Sequence, residues 1–396
     1  KLARWIRLTG GLPSLTGKDP SAHMLLIKER YPQVYEKTYK FLNVLDYINL
    51  RLTGRFTATV DSILTSWVTD NRNPDHVCYD PVLQRYSGID ADKFPEIVAC
   101  MEVLGPLSAA ASADLGLPQT VQVVAGSIDN TAAAIGSGAV DLYVPHVYIG
   151  TSSWISAHVP AKKTDFISYL ASTPCAVPGR FLLTALQATA GGNLTYLKEK
   201  ILYHKDELML EENVPDVYKV MDRIAEQVPA GSNGVIYTPW IWGERAPVDN
   251  PHMRAGLYNL SLNNNRADII RAFLEGVAYN TRWLVEPVEK FIGRKLEYIH
   301  LVGGGGNSKI WCQIFADILD MPVRQMKDPI QANARGAGLI AAAGLGEIQI
   351  GDAARLVTVQ QEFEPEAHNR VLYQERYAVF TQIYRQMHRI YERLNP

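Results

Sequence analysis

The sequence has 396 residues, of which 47% are hydrophobic and 20% charged, and a formal net charge of −2. This length suffices for two domains with sizeable cores. The near-neutral net charge argues against a nucleic-acid partner. The lack of an apolar run of ~18 residues argues against a membrane span. Four scattered cysteines without a Cys-x-x-Cys pair argue against a thiolate zinc site and favour a reducing compartment. We therefore expect a cytoplasmic protein without nucleic-acid or membrane partners.

The first part of the chain is predicted to contain helices separated by polar loops. One capped helix is expected from Pro20 to Arg30 and an amphipathic helix from Phe41 to Leu52. The polar run from Asn71 to Pro81 is predicted to be a loop. Two carboxylates of this region, Asp46 and Asp61, are interpreted as surface or packing residues rather than as chemical groups.

A strand-to-helix transition between Val121 and Gly138 provides the first candidate catalytic residue. The β-branched run Val121 to Val124 predicts a buried parallel strand, and the Ala-rich run Thr131 to Ile135 predicts a helix. Asp129 stands between them. Ligands of open α/β sheets bind at the carboxyl ends of strands, so Asp129 is a candidate base. Asp is also a preferred N-cap residue, and simple capping is the alternative interpretation.

Two segments rich in glycine and hydroxyl groups follow a domain junction near Asp141. Residues 147–159 predict a strand, a turn at Gly150 to Ser153 and a second strand. The turn offers N–H groups and hydroxyls that suit a phosphate, but an ordinary hairpin turn fits as well. Residues 189–195 open a helix that runs toward Ile201. Glycines there could admit a ligand to the helix N-terminus or merely permit close packing.

A rigid aromatic loop and a long helix come next. The loop from Pro239 to Pro247 contains Glu244 beside an arginine. Asn265 is predicted to cap a long amphipathic helix. Within that helix Arg271 and Glu275 lie four residues apart, and such a pair on a helix surface contributes a few tenths of a kcal/mol.

A run of four glycines near position 300 predicts a nucleotide-binding turn. The segment Leu296 to Val302 alternates like a strand, and a helix follows the run Gly303 to Ser308. Without Cβ atoms, and next to a positive helix N-terminus, this turn suits a nucleotide phosphate. It lacks the third glycine of the dinucleotide fingerprint, and no carboxylate ends the next strand, so nicotinamide binding is not expected.

The last two predicted helices have different surfaces. The helix from Ala332 to Ala343 consists mostly of small residues and is expected to pack closely against its neighbours. The final helix carries an aromatic stripe from Tyr373 to Tyr391, which is typical of a core or an interface.

Taken together, these segments resemble the FGGY family of carbohydrate kinases, and within it the xylulokinases. The similarity rests on the order and spacing of four stretches: Ala125–Asn130, Ile149–Ser152, Gly243–Pro247 and Gly303–Asp317. The opening region up to Gly54 is also similar, so the resemblance extends over nearly the whole chain.

The resemblance implies an α/β, actin-like or ribonuclease-H-like fold of two domains, with ATP and a sugar meeting in the cleft between them. Residues 1–140 would then be the remainder of a sugar-binding domain that carries the base, and residues 141–396 a nucleotide-binding domain. ATP and Mg²⁺ are the implied cofactors. By the same resemblance, Asp129 would be the general base at the sugar, with Asn130 beside it. Gly150 and Thr151 would contact the ATP phosphates. Gly191, Gly304 and Gly305 would line the nucleotide, and Ser308 would lie near the adenine.

The sequence also departs from the family pattern. The family begins with a phosphate-binding turn bearing Asp and Gly-Thr, followed by a Met-His-Gly sugar motif, and neither occurs here. We therefore expect the chain to be an incomplete copy of a longer enzyme and to be inactive by itself. The chain begins at Lys1 rather than at Met, which favours this interpretation over a truncated relative.

The function that the sequence favours is ATP-dependent phosphorylation of a ketopentose such as D-xylulose, or of another polyol such as ribulose, gluconate or glycerol. Phosphoryl transfer needs mainly positioning and charge neutralisation, which one base and several N–H-rich turns can supply. Two alternatives are a non-catalytic sugar- or nucleotide-binding regulator and an actin-like ATPase, although the latter would not explain Gly243 to Pro247. A homodimer is left open.

Overall fold

A computed structural model describes residues 1–14, 17–202 and 216–395. Its helices are α1 (Leu2–Thr9), α2 (Pro20–Arg30), α3 (Pro32–Lys37), α4 (Val44–Thr53), α5 (Pro81–Ser87), α6 (Ala109–Leu115), α7 (Asp129–Gly136), α8 (Gly191–Tyr196), α9 (Val217–Glu226), α10 (Arg266–Ile292), α11 (Lys309–Leu319), α12 (Ala332–Gly344), α13 (Ala353–Leu356) and α14 (Arg370–Leu394). Its strands are β1 (Thr57–Thr59), β2 (Thr69–Asp70), β3 (Cys78–Tyr79), β4 (Glu96–Val98), β5 (Val103–Pro106), β6 (Gln122–Val124), β7 (Pro145–Ile149), β8 (Ser153–Val159), β9 (Thr164–Asp165), β10 (Leu170–Pro174), β11 (Phe181–Gln187), β12 (Ile236–Thr238), β13 (Gly256–Tyr258), β14 (Ile299–Val302), β15 (Val323–Met326) and β16 (Val359–Phe363).

An eight-stranded mixed sheet organises the second part of the chain. Its strand order is β16-β15-β14-β7-β8-β11-β10-β9. Strand β14 runs parallel to both β15 and β7, and Val302 pairs with Tyr148 near the carboxyl ends of β14 and β7. The loops that leave these two neighbouring strands therefore emerge side by side, which is where ligands bind in α/β sheets.

Helices cover both faces of this sheet. On one face, apolar side chains of β7, β8, β11 and β14 join α10, α11 and α14 in the largest core cluster. The aromatic stripe of α14 contributes Tyr373, Phe380 and Tyr391 to this core, each at most 4% exposed. The stripe is therefore confirmed as core. On the opposite face, α7 and α12 join Leu182 of β11 and residues of the first part of the chain in a smaller cluster.

Helices α7 and α12 cross at paired glycines, which confirms the close packing expected of the small-residue helix. A Cβ added at Gly136 would overlap the carbonyl oxygen of Ala332, and a Cβ added at Gly336 would overlap that of Ala132. Arg335 then donates from Nε to the carbonyl oxygen of Gly136, at 2.7 Å. The helix that begins at Asp129 is thus fixed rigidly against the second part of the chain.

The first part of the chain forms small strand pairs, and one prediction here is wrong. Strand β1 pairs with β4 in parallel, whereas β2 pairs antiparallel with β3. The run from Val121 was predicted as a buried parallel strand, but β6 is antiparallel to β5 and Val121 is 38% exposed. A short apolar run does not reveal the direction of its partner strand. Val123 in this two-stranded sheet is buried, whereas Val121 is exposed.

The helix boundaries mostly follow the predicted signals. Helix α2 begins at Pro20 after Asp19, and α4 ends at Gly54 in a left-handed conformation, as its sequence favours. Asn265 caps α10 through a capping box. Ser108 caps α6 by accepting the backbone N–H of Ala111. Within the described ranges, the structure contains no helix that is both long and apolar enough to cross a membrane.

Candidate active site

The turn after β7 and the start of α8 form one hydrogen-bonded unit. The backbone N–H of Gly191 donates to the carbonyl oxygen of Gly150 at 2.8 Å, and those of Ala190 and Gly192 donate to that of Thr151 at 2.8 and 3.0 Å. A Cβ at Gly191 would lie 2.6 Å from the Gly150 oxygen. The structure therefore brings together Gly150, Thr151 and Gly191, and the glycine at 191 is required by close packing.

The glycine run after β14 lies beside this unit. Its two residues that were predicted to line the nucleotide, Gly304 and Gly305, differ in what an added Cβ would meet. Gly304 is exposed, and a Cβ added there would meet no atom of the described chain within 4 Å. A Cβ at Gly305 would instead overlap the side chain of Ile149, the last residue of β7. Gly304 therefore leaves open space for a ligand, whereas Gly305 is needed to seat the turn on its neighbour.

Ser308 ends the glycine run as the N-cap of α11. Its Oγ accepts the backbone N–H of Trp311 at 3.1 Å and donates to Oδ1 of Asp222 on α9 at 2.8 Å. Burial raises the pKa of Asp222, with the bond from Ser308 acting in the opposite direction. The hydroxyl of Ser308 thus has local partners that account for its presence.

Asp129 is the first residue of α7 and not its cap. The cap position belongs to Ile128, which has no polar side chain. The Oδ1 atom of Asp129 accepts the backbone N–H of the next residue, Asn130, at 2.8 Å, and the residue is exposed. The simple N-cap interpretation of Asp129 is therefore wrong, because its carboxylate does not occupy the capping position.

Asn130 faces the large sheet. Its Nδ2 donates to Oγ1 of Thr184 on β11 at 3.3 Å, and Oγ of Ser156 on β8 donates to the same hydroxyl oxygen at 3.3 Å. Asn130 therefore joins the start of α7 to the sheet of the second part.

Asp61 supports the segment that leads into Asp129. It is 1% exposed, and its Oδ2 accepts the backbone N–H of Ile128 at 3.1 Å while Oδ1 accepts the hydroxyl of Thr59 at 2.7 Å. Burial raises its pKa. Asp46, also 1% exposed, holds Ser62 with an O–O distance of 2.6 Å, and burial raises its pKa to about 6. The surface interpretation of both residues is wrong, and the packing interpretation is correct.

Tyr148 packs against the turn after β7 and is affected by the charge of Asp129, and sequence reasoning missed it. Its ring stacks on that of Trp154 at a centroid distance of 4.2 Å. A Cβ at Gly150 would lie 2.7 Å from its Cε1. Burial raises the pKa of Tyr148, and the nearby Asp129 carboxylate raises it further. The only sequence signal was an aromatic residue two positions before the glycine of a hydroxyl-rich turn.

Both parts of the chain match domains of one protein family. Residues 12–136 match the N-terminal domain, and residues 146–345 the C-terminal domain, of the FGGY family of carbohydrate kinases. A xylulose kinase of Bacillus subtilis (strain 168) is 28% identical over 369 residues, which cover 91% of this chain and 70% of the relative.

Solved structures show the same fold. A gluconate kinase and a ligand-bound xylulose kinase, both from Lactobacillus acidophilus, each have a TM-score of 0.83 at 21% sequence identity, covering 99% of this chain and 76% of theirs. The predicted α/β sugar-kinase fold is confirmed by this likeness. Since the two family domains together also account for most of the sequence, the chain belongs to the FGGY family of carbohydrate kinases and is an ATP-dependent sugar kinase.

Proposed function

We propose that the enzyme transfers the γ-phosphoryl group of ATP to a hydroxyl of a ketopentose such as D-xylulose, with Asp129 as general base. The observation that carries this proposal is an exposed carboxylate, Asp129, whose charge acts on Tyr148, the ring packed against the turn at Gly150. The name of the Bacillus subtilis relative supports D-xylulose as the acceptor. Gluconate is the second acceptor to test, given the name of one solved neighbour.

Nucleotide phosphates would contact the unit formed by Gly150, Thr151 and the start of α8. Peptide N–H groups and a threonine hydroxyl in such turns favour negatively charged oxygens. The open surface at Gly304 would accommodate the rest of the nucleotide. Gly191 and Gly305 would act indirectly, because their missing Cβ atoms let these turns approach one another.

Asp129 would accept the proton of the attacking sugar hydroxyl as the oxygen–phosphorus bond forms. A general base must reach the hydroxyl from an accessible position, and Asp129 is exposed at the start of α7. Its Oδ1 is oriented by the N–H of Asn130, which leaves Oδ2 for the sugar. Asn130 would line the same sugar site.

Mg²⁺ would normally neutralise charge on the transferred phosphoryl group. The described portions of the chain contain no group of three or more His, Cys, Asp or Glu side chains that could hold a metal ion. Mg²⁺ at kinase sites is usually held by only one or two carboxylates together with substrate phosphates, so such a group is not required. No step of the proposed reaction is assigned to the ion.

We also propose that the chain divides near residue 140, with residues 1–140 carrying the base and residues 141–396 binding the nucleotide. The position of the large sheet, which begins at Pro145, supports this division. So do the ranges matched by the two family domains.

The proposed reaction is tested by measuring ADP release from ATP with the full-length protein. D-Xylulose, D-ribulose, gluconate and glycerol would each be supplied as the acceptor. We expect the highest kcat/KM with D-xylulose. A higher kcat/KM with another acceptor would identify that compound as the substrate instead of D-xylulose. Nucleotide binding without turnover on any of the acceptors would favour the alternative of a non-catalytic regulator.

A further inference from the structure

Glu244 is a buried carboxylate close to the nucleotide turns, and the reaction described above gives it no role. It is 2% exposed and lies in the loop after β12. Its Oε1 accepts the backbone N–H groups of Ala188 and Arg245 at 2.7 and 2.8 Å. Its Oε2 accepts Nδ2 of Asn280, on α10, at 2.5 Å. All three partners are donors, so the site matches an ionised carboxylate and not a neutral side chain that also donates.

Burial acts against this charge. It raises the pKa of Glu244 to about 7, whereas the hydrogen bonds from Asn280, Ala188 and Arg245 lower it. A buried carboxylate is costly unless it is fully hydrogen-bonded, and breaking its contacts leaves an unmatched charge. The three donors must therefore stay in place around Glu244. The backbone at Ala188, which supplies one of them, is held together with Glu244.

That backbone leads directly into the nucleotide turns. Ala188 follows the last residue of β11, Gln187, whose Nε2 donates to the backbone oxygen of Asn280 at 2.6 Å. Two residues after Ala188, the chain makes the hydrogen bonds to the carbonyl oxygens of Gly150 and Thr151. Glu244 and Asn280 therefore hold the near end of the segment that contacts the turn after β7.

We propose that Glu244, acting with Asn280, is a positioning residue for nucleotide binding. It fixes the segment from Ala188 to Gly192 and, through that segment, the turn at Gly150 and Thr151. This inference rests on the proposed function, because it takes these turns to be the nucleotide site.

Replacing Glu244 with Gln isolates the effect. The new amide nitrogen would face Nδ2 of Asn280, so two donors would oppose each other, while the carbonyl oxygen could still accept the backbone N–H groups. We expect the affinity for ATP, measured by isothermal titration calorimetry on the full-length protein, to fall roughly tenfold or more, as for the loss of a hydrogen bond to a charged group.

A second substitution, Asn280→Asp, should rescue the first. In the double variant the carboxylate at position 280 accepts the amide at position 244 and still accepts Nε1 of Trp240, which now donates to Oδ1 of Asn280 at 3.0 Å. Every hydrogen bond is restored, and the negative charge is moved from position 244 to position 280. Asn280→Asp alone would place two carboxylates together and should weaken binding. We expect the double variant to bind ATP nearly as tightly as the wild type.

The matched control is Glu275→Gln, which changes a different buried carboxylate, one that lies in α10. Glu275 is 1% exposed and holds Arg271, Ser232 and Tyr373, none of which contacts the nucleotide turns in the structure. This variant should lose thermal stability but keep its ATP affinity. Wild-type affinity in Glu244→Gln, or a folded double variant that still binds weakly, would overturn the inference. If Glu244→Gln fails to fold, the double variant decides. A wild-type protein that binds no ATP would instead refute the proposed nucleotide site itself.

Discussion

At the scale of single residues, the two adjacent glycines of the nucleotide turn have different roles. Both were predicted from the same sequence pattern, on the argument that a missing Cβ admits a nucleotide. The structure separates them, because Gly304 faces open space and Gly305 faces the side chain of Ile149. The pattern could locate the turn but not the direction of each Cα–Cβ bond, since this depends on how β7 and β14 are paired.

Gly304→Val should raise the KM for ATP with little change in melting temperature. The valine side chain would enter the open space at Gly304 that we assign to the nucleotide. Gly305→Ala, its neighbour, should lower the free energy of unfolding by about 1–3 kcal/mol, as overpacking does. Steady-state kinetics and thermal unfolding of both variants measure these effects. An unchanged KM in Gly304→Val would show that the nucleotide lies elsewhere.

At the scale of elements, the crossing of α7 and α12 connects the base to the second part of the chain. The sequence predicted a closely packed helix at Ala332 to Ala343 from its small residues. It did not identify α7 as the partner, because small residues specify close approach but not to which surface. The contact between Gly136 and Gly336 joins segments 200 positions apart along the chain, and only the folded structure reveals it.

Gly336→Ala should force these helices apart, since its Cβ would overlap the carbonyl oxygen of Ala132. We expect a loss of unfolding free energy of about 3 kcal/mol, at the upper end for overpacking because backbone must move. We also expect a lower kcat, because α7 begins at Asp129. Denaturant unfolding and initial rates measure the two effects.

The control for this variant is Gly338→Ala, in the same helix but with no described atom within 4 Å of the added Cβ. This change should stabilise the protein by about 0.5–1 kcal/mol, because alanine loses less conformational entropy in a helix. Equal losses in both variants would mean that the crossing has no special role.

The pair Arg271 and Glu275 shows how context changes a predicted contact. The spacing predicted a helix-surface pair with a small effect. The pair is formed at 2.8 Å, but both side chains are almost fully buried, and Tyr373 of α14 also bonds to both. It therefore belongs to a core network, where removal of one partner typically costs about 3–5 kcal/mol. Spacing on a helix indicates which residues can meet, but not which face the helix buries.

At the scale of the whole molecule, buried histidines hold the segment after α7 to the large sheet. Nδ1 of His158 lies 2.8 Å from the carbonyl oxygen of Ala139, and Nδ1 of His300 lies 2.8 Å from that of Ser137. Burial lowers the pKa of each to about 4. These side chains stay neutral in the folded protein while the unfolded chain binds protons to them near pH 6.5.

His158→Asn should therefore change the pH dependence of stability, whatever its effect at neutral pH. For wild-type His158 the unfolded state gains a proton first as the pH falls, so the wild type loses stability between about pH 6.5 and pH 4. Relative to the variant, we expect a loss of up to about 1.4 kcal/mol per pH unit in that window. Urea unfolding of both proteins from pH 7 to pH 4.5 measures the difference, and a constant difference would exclude a buried neutral His158.

The role of Asp129 as general base is tested by the sugar-dependent turnover of Asp129→Asn. The amide keeps an acceptor for the N–H of Asn130 but cannot take a proton. We expect kcat with ATP and the sugar to fall by about 10²–10⁴-fold, while calorimetry shows an unchanged affinity for ATP. A folded Asp129→Asn enzyme with wild-type kcat would show that Asp129 is not the general base.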